Sequence, residues 1–171
     1  MSNYNGLSYN EEEKNKYEQH NNNCYTYAIS QPFNPYTKKP YEDYAYCQPG
    51  YLGGKGVNPG CDIKPSKILI NLAITDLNNI GYELIKSSYE EYIENQECWK
   101  VAFCYCSADY HWYRQNIDGT WSHKKGTHAI TNTDEEGNII YNPETCNRGR
   151  YTEFIGFYII RKKTLQSLQI A

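Results

Sequence analysis

Apolar residues recur at three- and four-residue steps over one long stretch of the chain, KPSKILINLAITDLNNIGYELI, where Ile68, Leu69, Leu72, Ala73, Leu77 and Ile80 share a face. The spacing predicts a helix over 66–80, capped by Ser66 and stopped by Gly81. Tyr82–Ile85 then begins an extended segment, and SSYEEYIENQ is a polar connector. Beyond it the period shortens. CWKVAFCYC is a continuous apolar run of strand length, and YHWYRQ and TWSHK flank NIDG, whose Asp118-Gly119 is a hairpin signal. HAITNT and NIIYNP flank DEEG in the same way, with a turn at Glu136-Gly137, and YTEFIGFYIIRKK closes as an apolar strand. In the first hairpin, Trp112 and Trp121 are expected to be more buried than Arg114 and Lys124.

The first half is irregular. Residues 1–20 carry charges without periodicity and read as a flexible polar arm, leaving 21–171 as a single domain. Asparagines 21–23 lead into CYTYAI, a short helix with an Asn cap. Residues 31–65 hold six of the seven prolines and a run of glycines, so they form a long loop of the kind usually tied to function. Helices first and an antiparallel sheet of four to six strands afterwards is the order of an α+β fold.

Composition narrows the partners. The chain has 171 residues, enough for one core, and a net charge of −3, which gives no basic footprint for nucleic acid. Its 19 tyrosines against 4 phenylalanines put hydroxyls into the core and onto ligand-facing walls. No apolar run reaches membrane-spanning length, and residues 1–20 lack the apolar centre of a secretory signal. The expectation is a soluble protein, cytoplasmic or exported by another route, with its seven cysteines reduced.

Candidate chemistry centres on Cys24, at the start of a helix after the asparagine cluster. Oriented amides there would lower the thiol pKa and favour labelling below pH 7. The competing reading is a small buried hydrophobe. His111 begins a strand in DYHWYRQ and can face a helix terminus as general base, whereas His123 and His128 read as structural and His20 lies on the arm. Asn142, held before Pro143, is placed to orient the imidazole, with Asp134 and Asp109 as competitors and an Asn-Pro turn as the alternative. A metal would need the second-half Cys and His cluster, but C-x-C at Cys104 and Cys106 is not knuckle spacing, so no metal and no cofactor is expected. GGKG lacks the preceding strand and the following Ser or Thr of a phosphate loop.

The order Cys24, His111 at a strand start, then Asn142-Pro143 resembles the papain-fold cysteine hydrolases, which include bacteriocin-processing peptidases, NlpC/P60 and CHAP amidases and transglutaminase-like enzymes. Several of those families have Asp before the proline; papain has Asn. NCYTYA, QPG, DYHWYRQ, DGTWSHKKG and RGRYTEF also resemble blocks shared by a set of microbial proteins, over residues 21–157. The papain-fold resemblance implies an N-terminal helix packed on an antiparallel sheet, and a thiol hydrolase acting on a peptide, protein or other amide-bearing substrate. It also implies an oxyanion hole from the Cys24 amide and an upstream side-chain amide, with Gln19, Asn22 and Asn23 as candidates. The thiol and imidazole are then expected within about 4 Å. An acyltransferase on the same site, or a non-catalytic Tyr-rich binding module on the same fold, are the other readings.

Overall fold

A computed structural model describes residues 3–43, 47–54, 63–94 and 97–164. Three helices, α1 (Glu11–Glu18), α2 (Cys24–Ala28) and α3 (Ser66–Asn79), precede six strands: β1 (Tyr82–Ser87), β2 (Cys98–Cys106), β3 (Asp109–Gln115), β4 (Trp121–Lys124), β5 (Ile130–Thr131) and β6 (Glu153–Lys162). The strands form one antiparallel sheet in the order β1-β6-β2-β3-β4-β5. The chain is therefore an α+β protein.

Residues 3–20 are not the free arm expected. Asn10 caps α1 by accepting from the Glu13 amide at 2.8 Å, and three glutamates fill its first turn, where the helix dipole favours negative charge. Tyr17 is buried, and Leu7 bridges to Asn116 beside the sheet, its amide donating to the Gln115 carbonyl at 3.0 Å. Arg114 explains the docking. It is wholly buried between the rings of Tyr27 (4.0 Å to the centroid) and Tyr17 (5.4 Å). Its Nη1 donates to Tyr17 Oη at 3.2 Å and to the Tyr27 carbonyl at 3.3 Å, and its Nη2 to the Ser8 carbonyl at 3.4 Å. The burial order expected for the hairpin fails here: Arg114 is as buried as Trp112 and Trp121, and Lys124 nearly so. Each cation has backbone carbonyls in reach, Lys124 Nζ donating to those of Gly126 (2.7 Å) and His128 (3.0 Å).

Gly6 lets this N-terminal segment approach the hairpin. A Cβ there would sit 2.2 Å from the Asn116 carbonyl oxygen, a backbone atom that cannot swing aside. Gly6→Ala is expected to cost about 1–3 kcal/mol and to undock residues 3–9. Faster amide exchange at Leu7 than in the parent, with exchange in β2 unchanged, is the result that checks it.

α2 has the predicted asparagine cap. Asn23 Oδ1 accepts from the Tyr25 and Thr26 amides at 3.0 Å each, and Thr26 Oγ1 accepts in turn from the Asn23 amide, closing a capping box. The helix ends after five residues, where Ser30 takes a positive φ of 56° just before Pro32. α3 matches its predicted span, but Pro65, not Ser66, is at the cap, without a side-chain bond. Its buried stripe is Leu69, Ala73, Asp76 and Leu77, and Ile68 faces solvent.

The hairpin turn at Asp118-Gly119 forms as predicted, with Gly119 at φ 87°. The second turn, at Glu136-Gly137, also forms, but NIIYNP contributes only an isolated Thr133–Ile139 bridge and no strand. Both faces of the sheet are covered, which is why β2 reads as a continuous apolar run rather than an alternation. α2 and α3 cover the face bearing Trp112 and Phe103, and the other face packs Ala102, Cys104, Tyr113, Trp121, Ile140 and Phe157. Cys104 thus belongs to the core, and no disulfide joins any two of the six described cysteines. Part of GGKG, and Cys61, lie outside the described residues.

Candidate functional site

β4 pairs with β3 only at Arg114–Ser122 and Gln115–Trp121, so the first half of β3 presents an open edge. A cleft of about 710 Å³ lies there. Asn23 and Cys24 of α2, Gln48 of the long loop, Asp109–His111 of β3, the 125–128 turn and the 148–151 loop line it.

Cys24 reaches the cleft as the first residue of α2 and is 9% exposed. Burial pushes its thiol up to about 12, against the pull of the Trp112 backbone N–H, and the Asp109 carboxylate adds to the rise. The lowered thiol pKa expected from the helix start is therefore reversed. A helix of five residues has too few aligned amides to outweigh burial of a charge. The resting group is a thiol, and labelling below pH 7 is not the expected behaviour.

His111 and His123 form a relay. Counting back from Arg114–Ser122, Tyr113 lies opposite His123 and on the same face as His111, whose ring meets it diagonally. His111 Nε2 is 2.7 Å from His123 Nδ1, and His123 Nε2 is 2.9 Å from the Thr133 carbonyl oxygen. The carbonyl can only accept, which fixes the protons when both rings are neutral. His123 Nε2–H donates to Thr133, its bare Nδ1 accepts from His111 Nε2–H, and His111 Nδ1 is left unprotonated. Tyr151 stacks on the His111 ring at 5.1 Å and Tyr113 meets its edge at 5.0 Å, so the ring plane is fixed as well.

Burial holds both imidazoles neutral: His111 lies well below its ordinary pKa and His123 falls to about 4, with the Thr133 carbonyl opposing the drop in His123. The folded state then binds fewer protons than the unfolded chain between about 4 and the ordinary histidine value of 6.5. Stability is complete above that window and declines as pH falls through it. The His123 share is on the order of 3 kcal/mol. Denaturant midpoints measured across the window should fall towards acid, and His123→Asn should flatten that slope.

The sequence-predicted residues separate into two groups. Cys24 and His111 line one cleft, with the sulfur beside the backbone N–H of Trp112, the residue after His111. α2 packs on the Trp112 face and the His111 ring lies on the other, so the cleft at the sheet edge is what the two side chains share. Among the described residues no hydrogen bond joins thiol and imidazole.

Asn142 takes no part. Its Oδ1 accepts from the Glu144 amide at 2.9 Å and its carbonyl from those of Thr145 and Cys146, the Asn-Pro turn held as the alternative. Asp134 likewise organises a turn through the Glu136 and Asn138 amides. Asp109 is in the cleft, bound by Arg150, by Tyr151 Oη at 3.0 Å and by the Tyr110 amide at 2.8 Å, but not by His111.

The oxyanion candidates are also spent elsewhere. Gln19 is exposed at the end of α1, Asn22 Nδ2 donates to the Pro32 carbonyl at 3.2 Å, and Asn23 Nδ2 to that of Cys47 at 3.0 Å. Gln48, within the long Pro/Gly-rich loop, lines the cleft with Cys24 and has no local sequence signal that singles it out. His123 was missed too, although the hairpin register alone places it on the face of His111.

The fold and cleft define an α+β protein in which a buried thiol and His111, the outer member of a hydrogen-bonded histidine pair, line one opening. The chain is similar to Insoluble matrix shell protein 1 of Ruditapes philippinarum, at 27% identity over 146 residues, covering 81% of this chain and 79% of that protein. No family model matches the chain, and no solved structure matches it. Among the described residues, no helix is long and apolar enough to cross a membrane.

Proposed function

We propose that the chain is a thiol-dependent acyl-transfer enzyme of the papain-like kind, a hydrolase when water is the acceptor, with Cys24 as nucleophile and His111 as base. The observation that carries this reading is the His111–His123–Thr133 chain at the cleft that Cys24 and His111 line, which leaves His111 Nδ1 as the base when both rings are neutral. His123 takes the orienting role expected of Asn142.

In this mechanism the Cys24 sulfur attacks a carbonyl carbon while its proton passes to His111 Nδ1. Both groups rest neutral, so transfer accompanies attack instead of preceding it. The imidazolium already donates Nε2–H to His123, which donates in turn to Thr133, so neither ring reorients. His111 returns the proton to the leaving amine, and the acyl group stays on sulfur as a thioester. Water or an amine then attacks the thioester, gives its proton to His111, and releases acid or amide as the thiol is restored.

Acyl-fluoride or activated-ester probes with peptide mapping test the assignment. Adducts are expected at Cys24 ahead of the other thiols, at a rate that stays level from neutral pH into the alkaline range, because the neutral thiol and the neutral imidazole are the reacting forms. Equal labelling of all thiols, or none at Cys24, refutes it.

A second reading has one observation in its favour: the similar protein is named for an insoluble shell matrix. On it, the Tyr-rich fold is an exported binding component and Cys24 is a core residue. That reading expects Cys24→Ala to lower the melting temperature and to leave no chemical phenotype.

A further inference from the structure

The cleft reverses the sign of the protein around it. Its full charges are three cations, Lys125, Arg148 and Arg150, against two carboxylates, Asp109 and Glu135, in a chain of net charge −3. Arg150 pairs with Asp109 and Lys125 with Glu135. Both pairs reach solvent, Arg150 at 65% and Lys125 at 36% side-chain exposure, so each is weak and can exchange one carboxylate for another.

Arg148 supplies the excess charge. Its guanidinium donates only to backbone carbonyls, at 2.8 Å to Pro143, 3.0 Å to Tyr151 and 3.3 Å to Thr152, and also to Glu144. No carboxylate among the described residues forms an ion pair with it. These bonds hold the loop in shape and leave a fixed positive charge on the cleft wall, where a concave surface concentrates its field.

The geometry points to a cleft that selects acyl substrates bearing a carboxylate close to the reacting carbonyl. The inference rests on the reading that Cys24 reacts in this cleft, and names the chemical class it takes. A substrate carboxylate would face Arg148 and compete with Asp109 and Glu135 for Arg150 and Lys125.

Iodoacetate and iodoacetamide are a matched probe pair, one anionic and one neutral, delivering the same carbon to sulfur. The quantity to measure is the ratio of their alkylation rates at Cys24 by peptide mapping of the full chain, referenced to free cysteine. The ratio is expected to exceed that of free cysteine by about three- to tenfold at low ionic strength and to fall towards it as salt is added. Dividing one rate by the other removes any change in the intrinsic reactivity of the thiol.

Two variants of one ion pair separate charge from structure. Glu135→Gln should raise the ratio and Lys125→Gln should lower it, whereas a role in holding the loops would move both the same way. A ratio at or below that of free cysteine, with Cys24 still the fastest thiol towards iodoacetamide, overturns the selectivity and leaves the thiol chemistry standing. A Cys24 that reacts with neither reagent overturns both.

Discussion

His111→Ala is expected to slow acylation of Cys24 by about a hundred- to ten-thousandfold, the usual range for losing a positioned general base. The thiol is buried and held near 12, so without a base almost none of it is ionised at neutral pH. His123→Phe should slow the same step by about ten- to a hundredfold. It leaves a ring in the pocket but gives His111 Nε2 no acceptor, so the proton is free to move to Nδ1 and block it. The double variant should be no slower than His111→Ala alone, because base and orienting group fail as a unit. Asn142→Ala is the internal control and should change the rate less than about twofold, since its side chain only closes a turn. Melting temperatures measured alongside separate chemistry from folding. An unchanged rate in His111→Ala would remove the imidazole from the mechanism and favour the binding reading.

Asp76→Ala is expected to be strongly destabilising, at about 3–5 kcal/mol, from the three donors it leaves without an acceptor. The carboxylate lies wholly inside and accepts from Tyr25 Oη at 2.7 Å, from the Gly50 amide at 2.8 Å and from the Gly53 amide. It thus joins α3 to α2 and to the loop residues beside Gln48. Truncation leaves a buried phenol, the buried Gly50 amide and the half-buried Gly53 amide without their acceptor. Burial also raises its pKa, against the hydrogen bonds that favour the charged form. Asp76→Asn keeps the shape and one carbonyl acceptor and should lose less than half as much. Equilibrium denaturation measures both, and an Asp76→Ala loss below about 1 kcal/mol would show that the loop re-forms without this anchor.

The stretch that placed Cys24 was legible because its determinants are local. Three asparagines before a short apolar run specify a cap, and Asn23 makes it with its own side chain two and three residues on. The hairpin was legible for the same reason, since Asp118-Gly119 fixes a turn without reference to the rest of the chain. The fold class followed from the order of such local signals.

What failed was judged by polarity. Residues 3–20 look like a solvated arm because their charges have no period, yet Arg114, nearly a hundred residues away in the chain, draws Tyr17, Ser8 and the Tyr27 carbonyl around one guanidinium. Asn142 was chosen because Asn before Pro has a defined direction; that direction serves its own turn.

By itself, then, the sequence determined the order of helices before sheet, the long helix α3, the Asp118-Gly119 hairpin, the capped helix that presents Cys24 and the strand that presents His111. Each depends on contacts within a few residues. Only the tertiary structure decided the partners: His123 on His111, Thr133 on His123, burial on the Cys24 thiol, and Arg148 in the cleft wall. Those are set by strand register and by which loop covers which face, and free energies of burial and hydrogen bonding depend on neighbours that sequence distance does not reveal.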